Sequence, residues 1–294
     1  MKTPFLLTLI IVGLSLQLMG QISSIAPQQA AKNHYLEFSQ LSSEPTFKRA
    51  ELDEIIYPPE EYRNSTLLFA LVKPHYLSSE QVDFLVKAVN FPANSSDQTR
   101  AELDFLLELQ AKRTPEQIER VMNIARIGYW PTSAMLSSHP SYEKNLSNLF
   151  FEVREVMGEN HTPEQFPATT KLLQGAMNDM RLMEFTVKYH LLRARPYQLE
   201  PKMEPLREIG SPSFASGHTL WAYTQAYILA ELIPDKRKAF LDLAYEIGFS
   251  REVMGVHYPS DEEVARQISH RMVWLMWHTD TFQKDFTQAV AEWR

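Results

Sequence analysis

The chain has 294 residues and a formal charge of −7 at neutral pH; 44% of it is hydrophobic and 22% charged. That make-up supports a buried core and excludes general disorder, and the acidic balance argues against nucleic acid or an anionic membrane surface as a bulk partner. There is no cysteine, which removes disulfides, thiol nucleophiles, thiolate zinc sites and iron–sulfur clusters together.

Residues 1–20 read as a signal peptide. Lys2 supplies the positive end, Phe5 to Leu18 is an almost unbroken apolar run, and Gly20, Ser23 and Ser24 follow as small residues. The run is short for a spanning helix. The expectation is cleavage near Gly20, with an uncleaved anchor as the alternative. The mature protein is then exported, periplasmic or secreted, with no membrane span after the signal. Residues 21–98 read as a mostly irregular N-terminal segment that wraps the body or forms a lid. Its part from 40 to 98 is rich in Pro, Ser, Glu and Asn, as in Tyr57-Pro58-Pro59.

Residues 99–294 read as helical. Thr99 with Glu102 offers a capping box ahead of Leu103, Leu106 and Leu107. Thr114-Pro115-Glu116-Gln117 combines a capping hydroxyl, a proline at the first helical position and a glutamine to close the box. Thr162-Pro163-Glu164-Gln165 repeats that signal. A long helix is expected from about Ala168 to Leu192, with Leu172, Leu173, Ala176, Met177 and Met180 on one face and Lys188 near its end. Pro196 cannot continue it. Further helices are expected over Thr219–Leu232, from Lys236 to about Phe249, and from Ser260, capped by Glu263. Neither a period-2 run nor a solenoid repeat interrupts this pattern, so the fold class is all-α, a single-domain helical bundle.

Three blocks carry the chemistry. Lys188 is followed after six residues by Arg195-Pro196. Ser213 to Thr219 is a small-residue turn that opens a helix. Ser250-Arg251 is followed after five residues by His257, and after three more by Asp261. Arg195 and Arg251 suit bidentate recognition of phosphate oxygens, and Lys188 suits a point charge. Ser216 and Gly217 at a helix start offer backbone N–H groups at a positive dipole end. Asp261, four residues after His257, suits a hydrogen bond that selects one imidazole tautomer and sharpens the other nitrogen as a nucleophile. His218 then serves as general acid. Taken singly, each residue has a plainer use: Ser216 as a helix cap, the cations as solvated or salt-bridged groups, Asp261 as a first-turn carboxylate. Tight metal-ligand spacings such as His-Glu-x-x-His are missing, so no metal is expected.

At these positions the chain resembles the type 2 phosphatidic acid phosphatase superfamily. That superfamily includes bacterial class A non-specific acid phosphatases, membrane lipid phosphatases and vanadium haloperoxidases. Its pattern, Lys-x6-Arg-Pro, Pro-Ser-Gly-His and Ser-Arg-x5-His-x3-Asp, is met at Lys188, Arg195, Pro196, Ser216, Gly217, His218, Ser250, Arg251, His257 and Asp261. Ala215 stands where the family usually has Pro. The resemblance is nearest to the soluble class A acid phosphatases. It implies a helical bundle of the acid phosphatase and haloperoxidase type and metal-independent hydrolysis of phosphomonoesters through a phosphohistidine. In that reading His257 is the nucleophile, Asp261 its orienter and His218 the general acid. Lys188, Arg195, Arg251, Ser216 and Gly217 clamp a small phosphorylated substrate. No cofactor is implied unless the chain is a vanadate-dependent haloperoxidase. That reading stays open, as do a lipid or diphosphate phosphatase, a non-catalytic phosphate-binding protein and assembly into a homo-oligomer. Tyr197, Phe214, Trp221 and Tyr258 flank the blocks, either lining the pocket or lying in the core.

Overall fold

The computed structural model describes residues 34–61, 67–128 and 137–294. The expected signal at 1–20, with its cleavage near Gly20, lies outside the described residues. Ten α-helices of seven residues or more carry the described part: α1 Ser79–Lys87, α2 Asp97–Lys112, α3 Pro115–Ile124, α4 Tyr142–Leu149, α5 Phe151–Met157, α6 Pro167–Leu191, α7 Gly217–Leu232, α8 Arg237–Val253, α9 Pro259–Trp277 and α10 Asp280–Val290. Among the described residues there is no strand, and the fold is all-α. None of their helices is long and apolar enough to cross a membrane.

Helix α7 forms the centre. From Thr219 to Leu232 every residue is buried, which is how a helix that is apolar all round must sit. It packs against α6, α8, α9 and α10. The first turn of α7 thus opens inside the bundle, where the neighbouring helices bring their own ends.

Two of the helix ends set up the cleft. Helix α6 runs its full expected length and stops at Leu192, whose φ of 51° is left-handed. A leucine holds that conformation at a cost of about 1–2 kcal/mol. The Tyr57 N–H fixes the turn by donating to the Leu192 carbonyl at 2.8 Å, and the chain then swings Arg193 and Arg195 inward. Helix α8 continues past the expected end near Phe249 to Val253. No breaker intervenes before Gly255, whose φ of +72° suits glycine. Ser250 and Arg251 are therefore helical.

Capping chemistry explains both the agreements and the corrections. Thr114 and Gln117 form the expected box on α3. The same signal at Thr162 closes a turn through Gln165, but the helix starts only at Pro167. Thr99 is not a cap: Ser96 caps α2, and the Thr99 hydroxyl donates to the Ala93 carbonyl at 2.8 Å. Ser260 and Glu263 do not form a box either. Helix α9 begins at Pro259, and Ser260 donates to Glu102 at 2.7 Å while Glu263 pairs with Arg266. Another acceptor has taken each hydroxyl: the Ala93 carbonyl just upstream for Thr99, and Glu102 on α2 for Ser260.

The segment before α2 is more ordered than its composition suggests. Helix α1 lies within it, capped by Ser78 and Gln81 in a reciprocal box. Ahead of α1, the carboxylate of Asp179 on α6 accepts the N–H groups of His75, Tyr76 and Leu77. That contact ties the segment to the bundle. None of the described residues of 34–98 lines the cleft described next.

Candidate active site

The first turn of α7, the end of α6, the end of α8 and the start of α9 converge on a cavity of about 190 Å3. That is small beside the several hundred Å3 of a site for a large organic ligand, and it suits a compact anion. Lys188, Arg195, Gly217, His218, Arg251 and His257 all line it. Ser216 is fully buried at the turn, with its hydroxyl beside Glu262.

His257 sits between two charges. Its Nδ1 lies 3.0 Å from Asp261 Oδ2, and its Nε2 accepts from the Arg195 guanidinium at 2.9 Å. A carboxylate only accepts and a guanidinium only donates. The proton is thereby assigned to Nδ1, and the Nε2 lone pair points at Arg195, on the wall of the cleft. Burial, then the positive charge of Arg195, holds the imidazole well below its usual range, with Asp261 opposing. The neutral form is favoured, and its Nε2 lone pair is taken up by Arg195.

Asp261 is held hard in place. It pairs with Arg193 at 2.6 Å, accepts from the Ser213 hydroxyl, and accepts the Tyr258 N–H at 3.1 Å. Burial pushes its carboxyl up. Arg193, with the hydrogen bonds from His257 and Ser213, more than offsets this and keeps it well below the usual carboxylate range. The Asp261 backbone carbonyl accepts the Ser216 N–H at 3.3 Å, which locks the small-residue turn to the start of α9.

The cations differ in how much donor capacity they have left. Arg195 is largely spent on Ser211, Pro212 and Val256, which fix its plane. Lys188 donates to the carbonyls of Pro212 and Ser213 at 2.7 and 3.0 Å. Burial, with Arg195 close by, pushes its ammonium down to about 7. Arg251 is 2% exposed, and its Nε has no partner. His218 also keeps an unpartnered buried Nε2, while its ring bonds the Ile127 backbone. Burial, then Arg251 and Arg181, holds His218 well below its usual range. An unsatisfied buried guanidinium nitrogen and an unsatisfied imidazole nitrogen in one cleft are costly unless a ligand engages them.

All eight expected residues are thus in or directly against one cleft. Sequence reasoning missed Arg193, Ser213, Arg181 and Glu184. Arg193 stacks over the Tyr258 ring at 3.8 Å and the Phe91 ring at 5.1 Å, and it acts on Asp261 rather than on the cavity. Arg181 and Glu184 precede Lys188 by about two helical turns and one on α6, so helical spacing was a signal that could have found them. The aromatics divide. Phe214, Trp221 and Tyr258 are core residues, with exposures of 3% or less. Tyr197 lines a neighbouring groove with Tyr57 and Glu208. Among the described residues, no group of three or more His, Asp or Glu side chains is arranged to hold a metal ion.

Residues 168–285 match the family model described as the PAP2 superfamily. A non-specific acid phosphatase of Providencia stuartii is 29% identical over 146 residues, which is 47% of this chain and 58% of that protein. A non-specific acid phosphatase of Salmonella typhimurium is 27% identical over 158 residues, 51% of this chain and 61% of that protein. The chain thus spans 58–61% of the length of these curated relatives. Among solved structures, a bacterial vanadium-dependent iodoperoxidase overlays with a TM-score of 0.46 at 18% identity, covering 64% of this chain and 50% of that one. A transmembrane PAP2-type phosphatidylglycerolphosphate phosphatase from Bacillus subtilis overlays with a TM-score of 0.42 at 22% identity, covering 75% and 94%.

Proposed function

We propose, from the match of residues 168–285 to the PAP2 superfamily model, that the protein is a phosphatase that hydrolyses small phosphomonoesters through a phosphohistidine, without a metal ion or other cofactor. The observation that carries the reading is His257, held between Asp261 and Arg195 and lining the same cavity as Arg251 and His218, each of which keeps an unpartnered buried nitrogen.

In the first step the phosphoryl oxygens take over the guanidinium nitrogen of Arg195 that bonds His257, the freed Nε2 lone pair attacks phosphorus, and the bond from phosphorus to the ester oxygen breaks. His218, protonated in the field of the bound phosphoryl group, gives its proton to the departing alkoxide. Arg195, Arg251, Lys188 and the free N–H groups of the first turn of α7 hold the equatorial oxygens, where negative charge accumulates. Asp261 stabilises the imidazolium as the phosphorus–nitrogen bond forms. In the second step His218 takes a proton from water, the water oxygen bonds phosphorus, and the phosphorus–nitrogen bond breaks. Inorganic phosphate leaves and His257 is restored.

Vanadate, which mimics the trigonal-bipyramidal phosphoryl group, is expected to inhibit p-nitrophenyl phosphate hydrolysis competitively, and EDTA is expected to have no effect. Activity lost in EDTA and restored by a divalent cation overturns the metal-independent mechanism. Halide oxidation by peroxide in the vanadate-loaded protein would assign the chemistry to a haloperoxidase instead.

The pH profile follows from Lys188 and His257. The ammonium of Lys188, lowered to about 7, carries its charge below pH 7 and loses it above. The imidazole of His257 stays neutral into the acid range. The kcat/KM profile, which reports the free enzyme, is expected to fall through an alkaline limb near pH 7. Lys188→Arg, which cannot lose its charge, is expected to move that limb up by at least one pH unit. A limb that stays put in the variant shows that another group controls it.

A further inference from the structure

The phosphate cradle contains an anion of its own. Glu184 stands on α6 one turn before Lys188 and lines the same cavity. It is 4% exposed. Its carboxylate lies so close against the Cα of Gly217 that a Cβ there would run into it. This explains the glycine at the first position of α7: what approaches it closely in the fold is a glutamate side chain. Arg181, another turn back, donates to Glu184 Oε2 at 2.6 Å. The same carboxylate supports the charged forms of Lys188, Arg195 and Arg251.

A carboxylate at a helix N-terminus among four cations is in a favourable place. It is also in the field that a phosphoryl group needs. Like charges brought together there oppose binding.

We infer that Glu184 is a built-in counter-anion of the cradle, which competes with the incoming phosphoryl group for the cations of the cleft and thereby sets how tightly the site holds phosphate. The inference rests on the reading of the cleft as a phosphate site. With Glu184 in place the free protein does not carry a cluster of uncompensated buried cations, and the phosphate product is released more readily.

Glu184→Gln keeps the shape and removes the charge. Phosphate binding measured by calorimetry is expected to tighten by about tenfold or more. The KM for p-nitrophenyl phosphate falls with it, while kcat does not rise. Thermal melting gives a second readout. Phosphate, which binds only the folded state, is expected to raise the melting temperature of the variant more than that of the wild type. Glu184→Ala serves for the same measurements where the glutamine variant folds poorly. Phosphate binding that is unchanged or weaker in a folded variant overturns the inference and makes Glu184 a positioning residue for Arg181. Failure of the underlying reading looks different: neither wild type nor variant then binds phosphate at all, and the inference falls with it.

Discussion

His257→Ala is expected to lower kcat by about 10⁴-fold or more and to leave the fold intact. Removing a nucleophile that works as a unit with its neighbours has costs of this size. The fold should survive because the ring's two partners keep others. The nitrogen of Arg195 that bonds His257 also donates to the Val256 carbonyl at 2.7 Å, and the rest of that guanidinium holds Ser211 and Pro212. Asp261 keeps Arg193, Ser213 and the Tyr258 N–H. The measurement is a steady-state rate beside far-UV circular dichroism and a melting curve. A folded variant with activity within tenfold of wild type would remove His257 from the role of nucleophile.

Asp261→Asn is expected to lose both activity and stability, and that pairing separates it from the first variant. An asparagine amide can present its own N–H to Nδ1 of His257. The proton is then pushed to Nε2, which no longer carries the lone pair. Loss of the correct tautomer costs about 10⁴-fold in kcat where a carboxylate orients a catalytic histidine. The stability loss comes from Arg193. Both members of the Arg193–Asp261 pair are fully buried, and the other carboxylate near Arg193, Glu102, lies at 3.6 Å. Burial pushes the carboxyl of Glu102 up to about 7, with Arg193 opposing, so it is a weak substitute as a counter-ion at neutral pH. Breaking a buried pair and leaving one charge costs about 3–5 kcal/mol. Urea unfolding at pH 7 measures the second effect and the hydrolysis rate the first. A variant as stable as wild type would show that Arg193 does not depend on Asp261 for its burial.

Much of the candidate site was readable along the chain because its residues lie near the ends of a few helices. Lys188 and Arg195 straddle the end of α6, Arg251 and His257 the end of α8. Asp261 opens α9, and its spacing from His257 is short enough for a loop and half a turn to join them. The helix ends were readable where the capping partners were local, as at Thr114 with Gln117. They were misread at Thr99 and Ser260, whose hydroxyls bond Ala93 and Glu102 instead. Helix α1 was passed over because polar residues around it set the composition, although Ser78 and Gln81 carried its start.

By itself the sequence determined the all-α class, the long run of α6, the apolar α7, and the eight residues that could form a phosphate site. The helices follow from periodicity and caps, which are local properties of a chain, and the eight residues from their spacing together with the family pattern they resemble. Only the tertiary structure decided what those residues face. It gave Asp261 its buried partner Arg193, set Nε2 of His257 against Arg195 at the cavity, and left Arg251 and His218, which line that cavity, with unpaired nitrogens. It also set Glu184 against Gly217. Long-range pairing of this kind depends on which helix ends meet, and the burial of α7 among α6, α8, α9 and α10 decides that.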